Sequence, residues 1–244
     1  MKLPALSKIF LFVACQLLIS ASVADDFQQQ RQDMIDAIKQ SVAETRRHLD
    51  KAELDPRVLE VMSKVPRHRF VPSDLWPEAY ENRPLPIGHG QTISQPYIVA
   101  LMTDLIDTQP DFKVLEIGTG SAYQAAILAE LVDEVYSIEI IEPLGKAAAK
   151  RIAELDYQNI HTRIADGYFG WEEAGPFDAI LVTAAASHVP PPLVKQLKKG
   201  GRMVIPVGSR FMTQQLLFVE KGTDGKVTTR QVLPVFFVPL TGAR

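Results

Sequence analysis

Lys113-Val-Leu-Glu-Ile-Gly-Thr-Gly-Ser-Ala122 is the stretch that decides the fold. Val114, Leu115 and Ile117 form a short apolar run of the kind that fills a parallel strand buried on both faces. Gly118 and Gly120 follow, where the backbone can turn sharply and a ligand can come close to the main chain. From Ser121 onward, Ala122, Ala125, Ala126, Leu128, Ala129 and Leu131 recur at helical spacing among strong helix formers. A strand, a glycine turn and a helix in that order make the nucleoside-binding corner of an open α/β sheet.

The details of that corner separate one cofactor from another. A dinucleotide site reads Gly-x-Gly-x-x-Gly and seats a pyrophosphate on the helix N-terminus. This chain reads Gly118-Thr-Gly120-Ser-Ala-Tyr123, with a bulky aromatic in place of the third glycine. Glu116, two residues before Gly118, suits a cationic ligand better than a doubly anionic one. Both features point toward S-adenosylmethionine, which has no pyrophosphate and carries a sulfonium. A nicotinamide-dependent dehydrogenase is the enzymatic rival. Thermal stabilisation by S-adenosylhomocysteine but not by NAD separates the two.

Outward from the corner, apolar strands and helical patterns alternate. Strands are expected near 113–117, 134–139, 160–164, 177–182 and 202–207, and helices near 121–131, 142–155 and 190–198. Such alternation predicts a doubly wound, mostly parallel sheet with helices on both faces. Gly222-Thr-Asp-Gly225 separates two later apolar runs, predicting an antiparallel C-terminal hairpin. Ligands of such sheets bind at the carboxyl ends of the strands. The residues there are Glu116, Gly118 and Gly120 after the first strand, Glu139 after the second, Asp166-Gly167 after the third and Thr183-Ala184-Ala185 after the fourth. Glu139 lies about twenty residues past the turn, where an acid commonly holds ribose hydroxyls. Upstream, residues 27–62 carry helical periodicity, with Pro56 as a first-turn proline. Pro66 to Pro96 is rich in proline and glycine and is expected to be mostly loop, and Pro96 to Ile106 is expected to be a helix.

Length and composition allow one large α/β domain. With 244 residues, 23% charged, and a net charge of −3 without a basic run, no nucleic-acid partner is expected. The single cysteine, Cys15, rules out a disulfide framework, and the five histidines show no metal-ligand spacing, so no metal is expected. Residues 1–24 stand apart. Lys2 and Lys8 precede an apolar run over 9–19, and Ser22 and Ala24 occupy the −3 and −1 positions of a signal-peptide cleavage site. Its removal takes two lysines and leaves 24 basic against 29 acidic residues, a charge of −5. A start near Met34 is the alternative. The organisation is thus a leader over 1–24 and one domain over 25–244. Within it, 25–110 forms a helical and loop substrate segment and 111–244 the core.

Pro84-Leu-Pro-Ile-Gly-His-Gly-Gln-Thr-Ile-Ser-Gln-Pro-Tyr97 names a family. It resembles the signature loop of protein-L-isoaspartate O-methyltransferases. The resemblance continues through Val65-Pro-Arg-His-Arg-Phe-Val-Pro72, Asp166-Gly167, Phe177-Asp-Ala-Ile180, Pro206-Val-Gly208 and Phe237-Val-Pro-Leu-Thr241. It implies a seven-stranded, Rossmann-like class I methyltransferase that uses S-adenosyl-L-methionine and releases S-adenosyl-L-homocysteine. The substrates it implies are isoaspartyl-containing proteins and peptides, whose α-carboxylate is methylated to start repair. It further implies Glu139 at the ribose, Asp166 near the adenine, Gly118 against the cofactor, and Ser94 at the catalytic position. Thr92, Ile93, Gln95 and Thr241 match positions around cofactor and substrate. Without the resemblance, Ser94 reads as a cap for the helix that starts near Pro96. His89 is left outside the site.

A monomer in the cytoplasm, without stable membrane association once the leader is gone, is the expected state. The leader raises a periplasmic or secreted location as the alternative. It also raises the possibility of an exported, non-catalytic protein that keeps the fold as a binding module.

Overall fold

The computed structural model describes residues 27–49, 52–209 and 212–242. The leader, its cleavage positions and Cys15 lie outside these residues. Helix α1 runs over 27–45 and α2 over Pro56–Lys64. The predicted helical stretch is therefore two helices, and Asp55-Pro56 starts the second. Pro56 fits the first turn because its missing N–H is not needed there, and the Asp55 side chain accepts from the Arg57 amide.

The proline-rich segment is more ordered than its composition suggests. Short 3-10 turns at Arg67–Phe70 and Ser73–Glu78 lead into an antiparallel hairpin of β1 (Leu85–Gly88) and β2 (Gln91–Ile93). Gly88, His89 and Gly90 all take positive φ, so His89 is the apex of this turn. The hairpin delivers the chain to α3 (Pro96–Leu105), which is buried along nearly its whole length.

Next come β3 (Lys113–Ile117), α4 (Tyr123–Ala129), β4 (Glu134–Glu139), α5 (Glu142–Glu154), β5 (Ile160–Ile164) and β6 (Phe177–Val182). The chain closes with α6 (Pro191–Gln196), β7 (Leu197–Val207), β8 (Gln214–Lys221) and β9 (Val227–Val235). The seven-stranded sheet has the order β5-β4-β3-β6-β7-β8-β9. Its first five strands are parallel, and β8 and β9 are antiparallel to their neighbours. The predicted architecture and C-terminal hairpin are both present.

Alternation along the strands sorts side chains to two faces. Val114, Val135, Ala179 and Leu181 pack with the N-terminal helices, α3, α4 and α5 on one face. Leu115, Ile117, Ile138, Ile180 and Val182 pack with Leu193 of α6 on the other.

Two boundaries depart from expectation. The helix expected over 190–198 stops at Gln196, and the strand expected from 202 begins at Leu197. Leu197 pairs with Phe177 in the sheet core, and this pairing overrides the helical preference of the lysines that follow. The helix expected over 121–131 starts at Tyr123, because Ala122 adopts a left-handed conformation.

Candidate active site

The strand order places a crevice where the chain reverses direction. From β3 it builds outward through β4 to β5, then returns to add β6 on the other side of β3. The loops after β3 and β6 leave in opposite directions, and a cavity opens at their carboxyl ends. It contains about 740 Å³ of empty space, counting its open mouth. Thr92, Ile93, Ser94, Glu116, Gly118, Gly120, Glu139, Gly167 and Thr241 all line it. Residues from opposite ends of the chain therefore meet in one cavity.

The glycine turn is held from two sides. Thr183, at the end of β6, donates from Oγ1 to the carbonyl of Gly118 at 2.7 Å, with the Ile117 carbonyl at 3.0 Å. A Cβ at Gly118 would lie 2.5 Å from that hydroxyl oxygen, and φ there is +100°, so only glycine fits. Glu139 accepts from the Gly120 amide at 2.8 Å through Oε2 and from the Ile141 amide at 2.9 Å through Oε1. Each carboxylate oxygen keeps a second lone pair, the acceptor pattern that suits a pair of ribose hydroxyls.

Glu116 is fully buried on β3, opposite Ser137 on β4. The Ser137 hydroxyl donates to Glu116 Oε2, and Thr119 Oγ1 lies 2.6 Å from the same hydroxyl. Glu116 Oε1 is buried without a hydrogen-bond partner. Burial pushes this carboxyl up to about 8, with the Ser137 hydrogen bond opposing the rise and the nearby Glu139 charge adding to it. The residue read as an anion waiting for a cation therefore holds its proton more tightly than an ordinary glutamate. The physical reason is its place inside the sheet, where the charged form loses hydration.

The other predicted residues divide. Gly167 lies on the cavity wall, and a Cβ there would come within 2.3 Å of Ile117 Cγ2. Asp166 does not line the cavity. Its Oδ1 accepts from the Tyr168 amide at 2.9 Å, while Oδ2 is buried against Gly242 without a hydrogen-bond partner. Gln95 lines a second groove that shares Thr92, Ser94, Thr183 and Val238 with the cavity. Its side-chain amide donates to the Asn82 carbonyl at 3.0 Å.

Ser94 is not a helix cap. The N-cap of α3 is Gln95, and no side chain caps that end. Instead Ser94 lies where cavity and groove join, with a face toward each.

These residues fit an adenosyl cofactor. The unpartnered Glu116 oxygen, the two-point Glu139 carboxylate, and the glycines at 118 and 167 form a cradle for a ligand bearing donors and positive charge. Among the described residues, no group of three or more His, Cys, Asp or Glu could hold a metal ion.

Thr183 stands at the strand end where the sequence places it. Sequence reasoning missed Ser137, recognisable as a polar residue inside an apolar strand, and Arg67. Arg67 gave no signal of its own. It is fully buried, donates from Nε to the Ala79 carbonyl at 2.8 Å and from Nη2 to the Ser94 carbonyl at 2.7 Å, and lies 4.7 Å from the Tyr123 ring centre. Burial lowers its guanidinium to about 10, which still leaves it charged at neutral pH.

Comparison with known proteins agrees with this geometry. The profile of the protein-L-isoaspartate(D-aspartate) O-methyltransferase family matches residues 37–244. Protein-L-isoaspartate O-methyltransferase 2 of Polaromonas sp. is 66% identical over 211 residues, covering 86% of this chain and 100% of that protein. Protein-L-isoaspartate O-methyltransferase 1 of Cupriavidus necator is 58% identical over 240 residues, covering 98% and 93%. Among solved structures, a protein-L-isoaspartate O-methyltransferase has the same fold, with a TM-score of 0.74 at 24% identity over 87% of this chain and 66% of that one. A Plasmodium falciparum chain assigned to the same enzyme class, in complex with S-adenosyl-L-homocysteine, has a TM-score of 0.68 at 26% identity over 84% and 97%. With a profile match over most of its length and a relative this similar, the chain belongs to the protein-L-isoaspartate(D-aspartate) O-methyltransferase family.

Proposed function

We propose that this chain methylates the α-carboxylate that an L-isoaspartyl residue presents in a damaged protein or peptide, with S-adenosylmethionine as donor. One observation carries the reading. The glycine strand and the Thr92-Ile-Ser94 loop open onto a single cavity in a chain of this family.

S-adenosylmethionine supplies a methyl group already activated by its sulfonium and leaves as S-adenosylhomocysteine. The protein's own work is binding and alignment. Glu139, pinned at the mouth of the glycine turn, offers acceptors for ribose hydroxyls. Asp166, next to the wall residue Gly167, is assigned to an amino group such as that of adenine by the family resemblance; its unpartnered Oδ2 faces Gly242 and would accept from that group only after turning toward the cavity. Ile93, Val99, Ile141 and Leu240 supply apolar wall, which limits water at the transfer point.

The acceptor needs little activation. A carboxylate has an ordinary pKa near ~4, so it is ionised at neutral pH without a strong base. What remains is in-line approach of oxygen to methyl, and holding reactants in such geometry contributes ~7–11 kcal/mol. Ser94 serves as a hydrogen-bond donor that orients the carboxylate. Two observations support that role: Ser94 lines the cavity, and its side chain does not cap α3. Once the ester has formed, the following backbone amide nitrogen attacks its carbonyl, methanol leaves, and a succinimide results. Water then opens the ring in part to normal aspartyl.

We place this chemistry in the cytoplasm, where S-adenosylmethionine is made, and assign it to a monomer that needs no metal. Purified protein lacking residues 1–24 is expected to transfer labelled methyl to an isoaspartyl peptide and not to its aspartyl counterpart. Equal labelling, no labelling or a preference for the aspartyl peptide would refute the assignment.

A further inference from the structure

We propose that Arg67 is a positioning residue for methyl transfer, a buried strut that fixes Ser94 relative to the cofactor-binding turn. The inference rests on the reading of Ser94 as the residue that orients the acceptor.

Three contacts define the strut. The guanidinium donates to the Ser94 carbonyl at 2.7 Å and to the Ala79 carbonyl at 2.8 Å. Its third contact is the ring of Tyr123, at 4.7 Å. Tyr123 is the first residue of α4, directly after the glycine turn, and it lines the cofactor cavity. Arg67 therefore touches the acceptor loop with one side of its fork and, across 4.7 Å, the aromatic ring on the donor half of the site. Phe70, three residues on, packs edge-on against the same Tyr123 ring at 5.4 Å. Tyr123 stands where a dinucleotide site would have its third glycine. Its size has a use here, as the surface on which the arginine rests.

Arg67 is an expensive choice for packing alone. It is fully buried, and its Nη1 has no hydrogen-bond partner. Removing a charge from water without a paired counter-charge is unfavourable, and an apolar residue of similar volume would fill the space at less cost. The fork, however, fixes the Ser94–Gln95 peptide plane, and with it the direction of the Ser94 Cα–Cβ bond. Asn82 braces the same loop from beyond Ser94, accepting from the Tyr97 amide at 3.0 Å through Oδ1 and from Gln95 through its carbonyl. Ser94 is thus clamped at its own carbonyl and again just downstream.

The test is a double-mutant cycle in the full chain, using Arg67→Met, Ser94→Ala and the double variant. Turnover on an isoaspartyl peptide and S-adenosylhomocysteine affinity are read for each. R67M is expected to lower kcat about tenfold or more, with S-adenosylhomocysteine affinity within about threefold of wild type. In the Ser94→Ala background, the same substitution is expected to lower kcat less than about threefold, because its effect passes through Ser94. Additive losses, or wild-type turnover in folded R67M, overturn the proposal. If S94A alone leaves turnover unchanged, the reading of Ser94 fails and the strut fails with it; additivity with a damaging S94A removes only the strut. Arg67→Gln, which keeps donors without charge, and Arg67→Lys serve if R67M does not fold, and an additive cycle with either overturns the proposal equally. Failure of all three to fold would mark Arg67 as purely structural and end the proposal.

Discussion

Glu116 shows how one side chain changes meaning when its surroundings are known. Two residues before a glycine turn, it reads as a fixed negative charge. Inside the sheet, under Ser137 and Thr119, burial raises its carboxyl to about 8. A folded state that holds this proton more tightly than the unfolded chain is favoured at low pH. That contribution is complete below the ordinary glutamate range near ~4, declines as the unfolded chain ionises, and is lost as pH rises through about 8. Glu116→Gln keeps the shape and the acceptor for Ser137 but cannot ionise. Its Tm is therefore expected to fall less than that of wild type between pH 5 and pH 8.5, measured by calorimetry in the absence of ligand. Parallel Tm profiles for the two proteins would show that Glu116 is ionised in the fold. A cation arriving beside Glu116 favours the ionised form. Cofactor binding at pH 7 is accordingly expected to release protons, seen as a binding enthalpy that changes with the ionisation enthalpy of the buffer. A buffer-independent enthalpy for both wild type and E116Q would contradict that coupling.

At the scale of elements, the site is built by segments that do little alone. The hairpin of β1 and β2 has only seven residues in strands, and two glycines flank the left-handed His89 at its tip. It is held in place by neighbours: Arg67 from the 3-10 turn, Asn82 from the preceding loop, and α3 packed beneath. Helix α1 is anchored by a second device. Phe27 stacks on His68 with ring centres 4.2 Å apart, Trp76 meets both rings edge-on, and Tyr80 completes the cluster through its hydroxyl, 2.8 Å from His68 Nδ1. An aromatic pair contributes ~0.5–1.5 kcal/mol beyond the area it buries. Phe27→Ala is expected to destabilise the fold by roughly 1–2 kcal/mol and lower Tm by about 2–8 °C, with turnover unchanged. Denaturant unfolding with an unaltered midpoint would show that α1 is held by Met34, Ile35, Ile38 and Val42 alone, which are buried further along the helix. The cluster also bears on the start of the folded unit. Phe27 and Arg31 precede Met34, so a chain beginning there would lack the stack on His68.

At the scale of the molecule, the open matter is where the reaction takes place. The leader pattern over 1–24 argues for export, and a methyl donor made in the cytoplasm argues against it. Among the described residues, no helix is long and apolar enough to cross a membrane. Sequencing the N-terminus of the protein from fractionated cells is expected to recover it in the cytoplasmic fraction. Recovery from the periplasm with Asp25 at the N-terminus would instead mean that the leader is cleaved and that the donor has to be found outside.

Much of the molecule is legible from its residues because the relevant forces are local. Alternating apolar runs and helical spacing identify the sheet and its helices, since each pattern describes which side of an element is buried. The glycines at 118 and 120 mark the turn, since their backbone needs are visible in the chain itself. The loop from Pro84 to Tyr97 identifies the family by resemblance.

The tertiary structure alone decided three further points. It set the protonation of Glu116, which depends on Ser137 across the strand pair and on the loss of water around both. Ser94 proved to be a cavity residue and not a helix cap, because the chain enters α3 through Gln95. Arg67 was joined to Ser94 and Tyr123, residues 27 and 56 positions away in the chain. Burial, register and long-range hydrogen bonds arise between segments, and no local pattern carries them.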